Sequence, residues 1–116
     1  DFDNAIKIFK RNKLDSLFTS TLINDYCVWS KKINKFSAKY NFRNRKRRQN
    51  IDSKYLENGS FYIFETSKFK RNKNRLFGKI GTYVQNKIKS FQIDTYEDIF
   101  IVDSILKNKE IKKFNK

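Results

Sequence analysis

Four arginines, Arg43, Arg45, Arg47 and Arg48, stand with Lys46 among them and Gln49 directly after, and no other stretch of the chain is as dense in chemistry. Guanidinium groups grip phosphate and carboxylate in a bidentate fork and stay charged, whereas lysine offers a point charge. The cluster therefore reads as an anion site, weighed against the plainer reading of a solvated basic loop. A second candidate is Asp94, read at the end of a strand and the start of a helix. Ligands gather at the carboxyl ends of strands in open α/β sheets, so a carboxylate there can hold Mg²⁺ on a phosphate, or it can do no more than cap the helix. The third is the set Trp29, Tyr55, Phe61 and Tyr62, interleaved with cations. Such rings can stack on nucleic-acid bases, although alternate residues of any strand must also point into a core.

Absences narrow the chemistry. The chain has no histidine and one cysteine, Cys27, so an internal disulfide and the usual zinc constellations are excluded. With no histidine to activate it, Cys27 is read as structural. There is no phosphate-binding Walker loop and no nucleophile elbow. A net charge of +15 and a pI near 10.0 favour anionic partners. That signal is discounted, because most of the cations are lysines spread through an Asn-, Ile- and Phe-rich sequence. No apolar run is long enough to span a bilayer and no signal peptide is visible, so the expected location is cytoplasmic, away from membranes. The 116 residues make one domain at most. Methionine is absent and the chain opens directly into a helical pattern, so it reads as an internal piece of a longer protein.

The elements that must position these groups follow in order. Asp3 is placed to cap a helix beginning near Asn4 and ending by Asn12. Leu14 to Leu22 suits a strand entered through a turn at Lys13 to Ser16. Tyr26 to Ser30 and Phe36 to Tyr40 read as two short strands of an exposed hairpin, which cannot bury both faces in so small a domain and so asks for a partner subunit. Asn41 to Lys54 is loop. Glu57, Asn58 and Gly59 read as a sharp turn just before the strand Ser60 to Phe64, since Asn and Gly tolerate positive backbone dihedrals. Ser67 to Leu76 should hold a short helix, Gly78 to Gly81 a turn, and Thr82 to Val84 an extended segment. Lys89 to Asp94 is read as another strand. Thr95 with Asp98 fits a capping box for a helix bearing Ile99, Val102, Ile105 and Leu106 on one stripe. Lys107 to Lys116 is a basic, frayed tail. Helices interleaved with short strands give an α/β class.

Taken together, KRRQ at Lys46 to Gln49 and YLENGSFYIF at Tyr55 to Phe64 resemble motifs of the acylneuraminate cytidylyltransferases, the synthetases of CMP-activated sialic acids. The order continues with Gly78 and Lys79 before TYV, and with SFQIDTYEDIFIVDSIL at Ser90 to Leu106, similar to that family's SxDIDT-x-x-D motif and last helix. Upstream, LDSLFTST at Leu14 to Thr21 and the Trp29 hairpin resemble its strand and dimerisation hairpin. The resemblance implies the C-terminal half of a Rossmann-like nucleotidyltransferase fold over residues 1–106, with a protruding dimerisation hairpin at about 26–40 and a tail at 107–116. It implies transfer of CMP from CTP to an acidic nine-carbon sugar, with Mg²⁺ and release of pyrophosphate, in a homodimer. Arg47, Arg48 and Gln49 match residues that reach the bound anions, and Tyr55, Asn58 and Lys79 fall in the matching substrate-binding motifs. Asp94 matches the second aspartate of the metal pair and is the expected catalytic residue. Gln92 stands where the first aspartate would be, which removes a negative charge from the expected metal site. The family's N-terminal Gly-rich nucleotide loop is absent from residues 1–116, so this piece alone is expected to be inactive. Two rival readings remain open: a small basic nucleic-acid-binding module, with nucleic acid the less favoured partner, and a non-catalytic remnant of the synthetase.

Overall fold

A computed structural model describes residues 1–23 and 27–112, with the backbone alone for Arg48 and Lys112. Its centre is β1 (Ser16–Ile23), flanked on one side by antiparallel β4 (Lys54–Phe64) and on the other by parallel β5 (Ile80–Gln85). A separate hairpin pairs β2 (Trp29–Lys32) with β3 (Lys35–Ala38). The described residues also hold four α-helices: α1 (Phe2–Arg11), α2 (Thr66–Asn72), α3 (Tyr96–Lys107) and the single turn α4 (Lys109–Lys112). The fold is thus mixed α/β with a small sheet of both strand senses. The Cα radius of gyration is 17.7 Å, against about 13 Å for a compact domain of this length. Among the described residues no helix is long and apolar enough to cross a membrane.

β1 is an unusual central strand, because what it buries is largely hydroxyl. Ser16, Thr19, Ser20 and Thr21 are buried beside Leu17. Buried hydroxyls must find partners. Ser16 Oγ donates to the Phe77 carbonyl (2.8 Å) and accepts from the Phe77 N–H (3.0 Å), so one side chain satisfies a whole backbone unit beside the sheet. Ser20 and Thr82 share a hydroxyl pair at 2.7 Å, and Thr82 Oγ1 also donates to the Phe18 carbonyl. Ala5, Leu17 and Phe77 are the only buried apolar residues among those described. Aromatic contacts supplement that small core. Phe2 of α1 lies 4.5 Å from Phe61 of β4, which stacks on Tyr83 of β5, and Phe69 of α2 stacks on Phe64 at 4.6 Å.

Several local expectations change. The first helix starts at Phe2 with Asp1 as its N-cap, two residues before the expected start, and Asp3 becomes an acidic residue of the first turn. The hairpin strands are shorter and shifted inward, and Tyr26 lies outside the described residues. The triplet Glu57 to Gly59 does not turn the chain before a strand; it lies inside β4 as a bulge. Lys89 to Asp94 is not a strand. Asn86 accepts from the Ile88 N–H through its side chain and from the Lys89 N–H through its carbonyl, which winds Lys87–Ser90 into a 3-10 turn. Such local side-chain bonds compete with strand pairing, and here they win. The tail carries α4 where fraying was expected, and residues 113–116 lie outside the description. The capping box stands as read: Thr95 Oγ1 accepts from the Asp98 N–H and Asp98 accepts from the Thr95 N–H.

The hydroxyl of Thr19 tests how far β1 depends on such bonds. Thr19→Val keeps the shape and strands both the Phe61 N–H and its carbonyl, at a cost of about 1–3 kcal/mol. A lowered urea midpoint with an unchanged denaturant slope is the expected result.

Candidate functional site

Along β1 and β4, Phe18 pairs with Tyr62 and Ser20 with Glu57, so the single residue Thr19 faces the four residues Asn58 to Phe61. Thr19 Oγ1 bridges this gap, donating to the Phe61 carbonyl and accepting from the Phe61 N–H, both at 3.2 Å. Gly59 takes φ +64°, a left-handed conformation that costs glycine little. The bulge turns Asn58 inward, where it is 4% exposed. Its amide nitrogen donates to Gln85 Oε1 (2.8 Å) and Ser90 Oγ (3.0 Å), and its oxygen accepts from the Ser60 N–H. The Gln92 amide donates to the Asn58 carbonyl. Strand β4, the end of β5 and the segment leading to α3 are therefore tied at one residue.

The expected site residues divide around this knot. Asn58 and Gln92 meet there, with the two amide hydrogens of Asn58 both engaged by protein partners. Asp94 follows two residues after Gln92, in the loop before α3 and not at a strand end. Its backbone N–H donates to Asp98 Oδ2 (3.0 Å), and no described residue bonds its exposed carboxylate. Asp98 also receives the Thr95 N–H and hydroxyl, and these bonds, the Asp94 N–H first, hold its pKa below the ordinary range. Tyr55 stands half exposed opposite Leu22 at the far end of β4. Arg47 and Gln49 are exposed on the loop that enters β4, where the Arg47 carbonyl accepts from the Asn50 N–H in a 3-10 turn over Arg48–Asn50. The Arg48 side chain lies outside the described residues. Lys79 is tied elsewhere: its Nζ donates to the Asn12 carbonyl (2.9 Å) at the end of α1. Cys27 is exposed, which leaves it no packing role.

Sequence reasoning passed over Asp15. Its carboxylate takes Lys68 Nζ at 2.5 Å and the Lys79 N–H at 2.7 Å, its own N–H donates to the Lys79 carbonyl, and its carbonyl accepts from the Glu65 N–H. Glu65 Oε2 also pairs with Lys68 at 2.7 Å. One aspartate thus joins the start of β1, the end of β4, α2 and the Gly78 turn, where any Cβ would run into it. A charge pattern spread over such sequence distances carries no local signal. Tyr62, read as a stacking ring, donates its hydroxyl to Glu57 and carries the Arg75 guanidinium over its face at 4.4 Å. The bond to Glu57 raises the Tyr62 pKa.

Mg²⁺ is commonly held by one or two carboxylates, with water and substrate phosphate filling the remaining positions. The exposed carboxylate of Asp94, which no described residue bonds, has the chemistry of one such ligand, while the Gln92 amide nitrogen is held by the Asn58 carbonyl. Among the described residues no three His, Cys, Asp or Glu side chains cluster to form a fuller one. No family model matches the sequence, and no curated protein matches it significantly.

Asp15 supplies a pH test. Lys68 first, then the Lys79 N–H, lowers its pKa in the folded state. A depressed carboxylate stabilises the fold fully above its unfolded pKa of about 3.9, and that contribution is lost as pH falls through the lower folded value. In acid titrations followed by circular dichroism, Asp15→Asn should be less stable at pH 7 and should lose stability less steeply below about pH 4 than the parent. Parallel curves would show that Asp15 carries no pH-dependent share.

Proposed function

We propose that this chain is the acidic-sugar-facing part of a Rossmann-like cytidylyltransferase of the acylneuraminate type, acting as a homodimer on CTP and a nine-carbon sugar acid. The observation that carries the reading is the knot at Asn58. Two of the motifs on which the sequence resemblance rests, YLENGSFYIF and SFQIDT, lie far apart in the chain and are bonded to each other through Asn58, Ser90 and Gln92. Motifs brought together in space are what a shared site requires.

In this reaction the anomeric hydroxyl oxygen of the sugar bonds to the α-phosphorus of CTP. The bond from that phosphorus to the oxygen bridging the β-phosphate breaks, pyrophosphate leaves, and the hydroxyl proton passes to solvent or to a basic group. Such transfer depends on alignment and charge neutralisation more than on covalent help. Arg47, Arg48 and Gln49 precede β4 and would hold the anionic groups of sugar and nucleotide. Asp94, with Gln92 beside it, would hold Mg²⁺, which neutralises phosphate charge when bound. Because Gln92 brings no charge, the metal would be held more weakly than by two carboxylates. Asn58 serves as the buried strut that keeps the Gln92 to Asp94 segment against β4.

The test is pyrophosphate release by the full-length gene product, with CTP and N-acetylneuraminate as substrates. Expected are dependence on Mg²⁺, preference for CTP over the other nucleotides, and a fall of more than about tenfold for Arg47→Ala, equivalent to losing about 1.4 kcal/mol of transition-state stabilisation. Gln92→Asp should move Mg²⁺ activation to lower concentration. No release from CTP with this or related nine-carbon sugar acids would sink the reading.

A further inference from the structure

The hairpin and the loop after it carry a charge pattern of which the proposed reaction uses only Arg47 and Arg48. Between Asp25 and Asp52 the chain has nine cations and no carboxylate. Lys31, Lys32, Lys35 and Lys39 stand in or beside the hairpin, and the arginine cluster follows. Elsewhere the structure puts lysines to architectural use: Lys68 pairs with Asp15 and Glu65, Lys89 with Asp1, and Lys79 with a helix-end carbonyl. Among the described side chains between residues 27 and 51, no cation forms an ion pair with a described carboxylate.

Aromatic rings stand among these cations and are not buried. Trp29, Phe36 and Phe42 are 46%, 62% and 54% exposed. The register pairs Trp29 with Ala38 and Lys31 with Phe36, and side chains alternate along a strand, so these four share one face of the hairpin. Trp29 packs edge-on to Tyr40 at 6.0 Å and tilts against Phe42 at 5.6 Å, which gives a cluster of three rings with Trp29 at its centre. Lys31 lies over Phe36 at 5.4 Å and Arg43 over Phe42 at 5.9 Å. The opposite face carries Ser30 and Ser37, joined through their hydroxyls at 2.7 Å, beside the pair Lys32 and Lys35.

We propose that the exposed aromatic face of the β2–β3 hairpin, with the basic loop at 39–48, binds single-stranded nucleic acid. Exposed rings supply stacking surfaces that any base can use, and a row of cations tracks the phosphates. A duplex hides its bases from such a platform. A second copy of the same hairpin is the poorer occupant, because it would bring another set of unpaired cations against the first. This inference is an alternative to a dimer joined through the hairpin and shares Arg47 and Arg48 with the anion site proposed above, while its aromatic face lies outside the Gln92 to Asp94 segment.

Trp29 is the only tryptophan in the chain, so the platform reports on itself. Titrating the protein with oligouridylate and oligothymidylate of about ten nucleotides, within the site sizes of known single-strand grooves, should quench its fluorescence saturably. The slope of log affinity against log salt should be about −0.7 for each phosphate held. Phe42→Ala removes one ring and should weaken binding about 5- to 150-fold if that ring stacks on a base. The paired change Arg43→Gln and Arg45→Gln, on an exposed loop outside the sheet, should flatten the salt slope by about 1.4. Binding without quenching, with both variants at parental affinity, would assign the attraction to diffuse charge and overturn the proposal. So would an absence of binding at low salt, or sedimentation showing copies joined through the hairpin with Trp29 covered and oligonucleotide excluded.

Discussion

The structure depends on a mismatch between two strands: one residue of β1, Thr19, faces four of β4. An uncompensated mismatch would leave Phe61 with backbone groups buried and unpaired, which costs more than a lost hydrogen bond gains. The Thr19 hydroxyl meets both groups at once, so β4 crosses the irregularity as one strand. The excess length then has to go somewhere, and it goes inward as Asn58. That side chain, with two donors and an acceptor all satisfied, is what ties the end of β5 and the approach to α3 to the sheet. A polar central strand, which would look poorly designed on burial alone, is the condition for this joint.

Electrostatics divides the same molecule into two regimes. Around Asp15, cations and carboxylates are matched and sit at the junction of four elements, and the positive charge is spent on architecture. In the hairpin and the loop after it the described cationic side chains have no such partners and stand at the surface. A net charge of +15 is therefore not spread evenly over a compositional background. Positional pairing separates the lysines that hold the fold from the cations available to a ligand. Composition alone cannot make that separation.

What was legible in the sequence was local. The Thr95 and Asp98 capping box lies within one turn of helix and could be read directly, as could the hairpin and β1, within a few residues. The α/β class followed from their alternation. Where the reading failed, a local signal had two meanings. Asn58 and Gly59 permit a left-handed backbone, and a turn and a bulge both ask for that; only the pairing of β4 with β1 chooses the bulge. SFQI has the composition of a strand, but the Asn86 side chain gathers the N–H of Ile88 and so starts a 3-10 turn. The Asn58 amide finds its partners 27 and 32 residues away, and Asp15 meets Lys68 at a separation of 53. Sequence spacing offers no rule that would have joined them.

Arg47 belongs to both anion readings, which places a constraint on how they coexist. The loop at 39–48 runs from the hairpin into β4, so its cations stand between the aromatic face and the strand that carries the Asn58 knot. A guanidinium fork binds one phosphate or carboxylate at a time in bidentate geometry. A polynucleotide drawn along the hairpin and a nucleotide held near Asp94 would therefore compete for the same charges at the β4 end of the loop, while Trp29, Phe36 and Lys31 would remain private to the polymer. Whatever the two ligands share is electrostatic and salt-sensitive, and what separates them is stacking on one side and a metal-directed carboxylate on the other. Specificity in this protein would thus rest on the few uncharged or singly charged groups at either end of a common basic track.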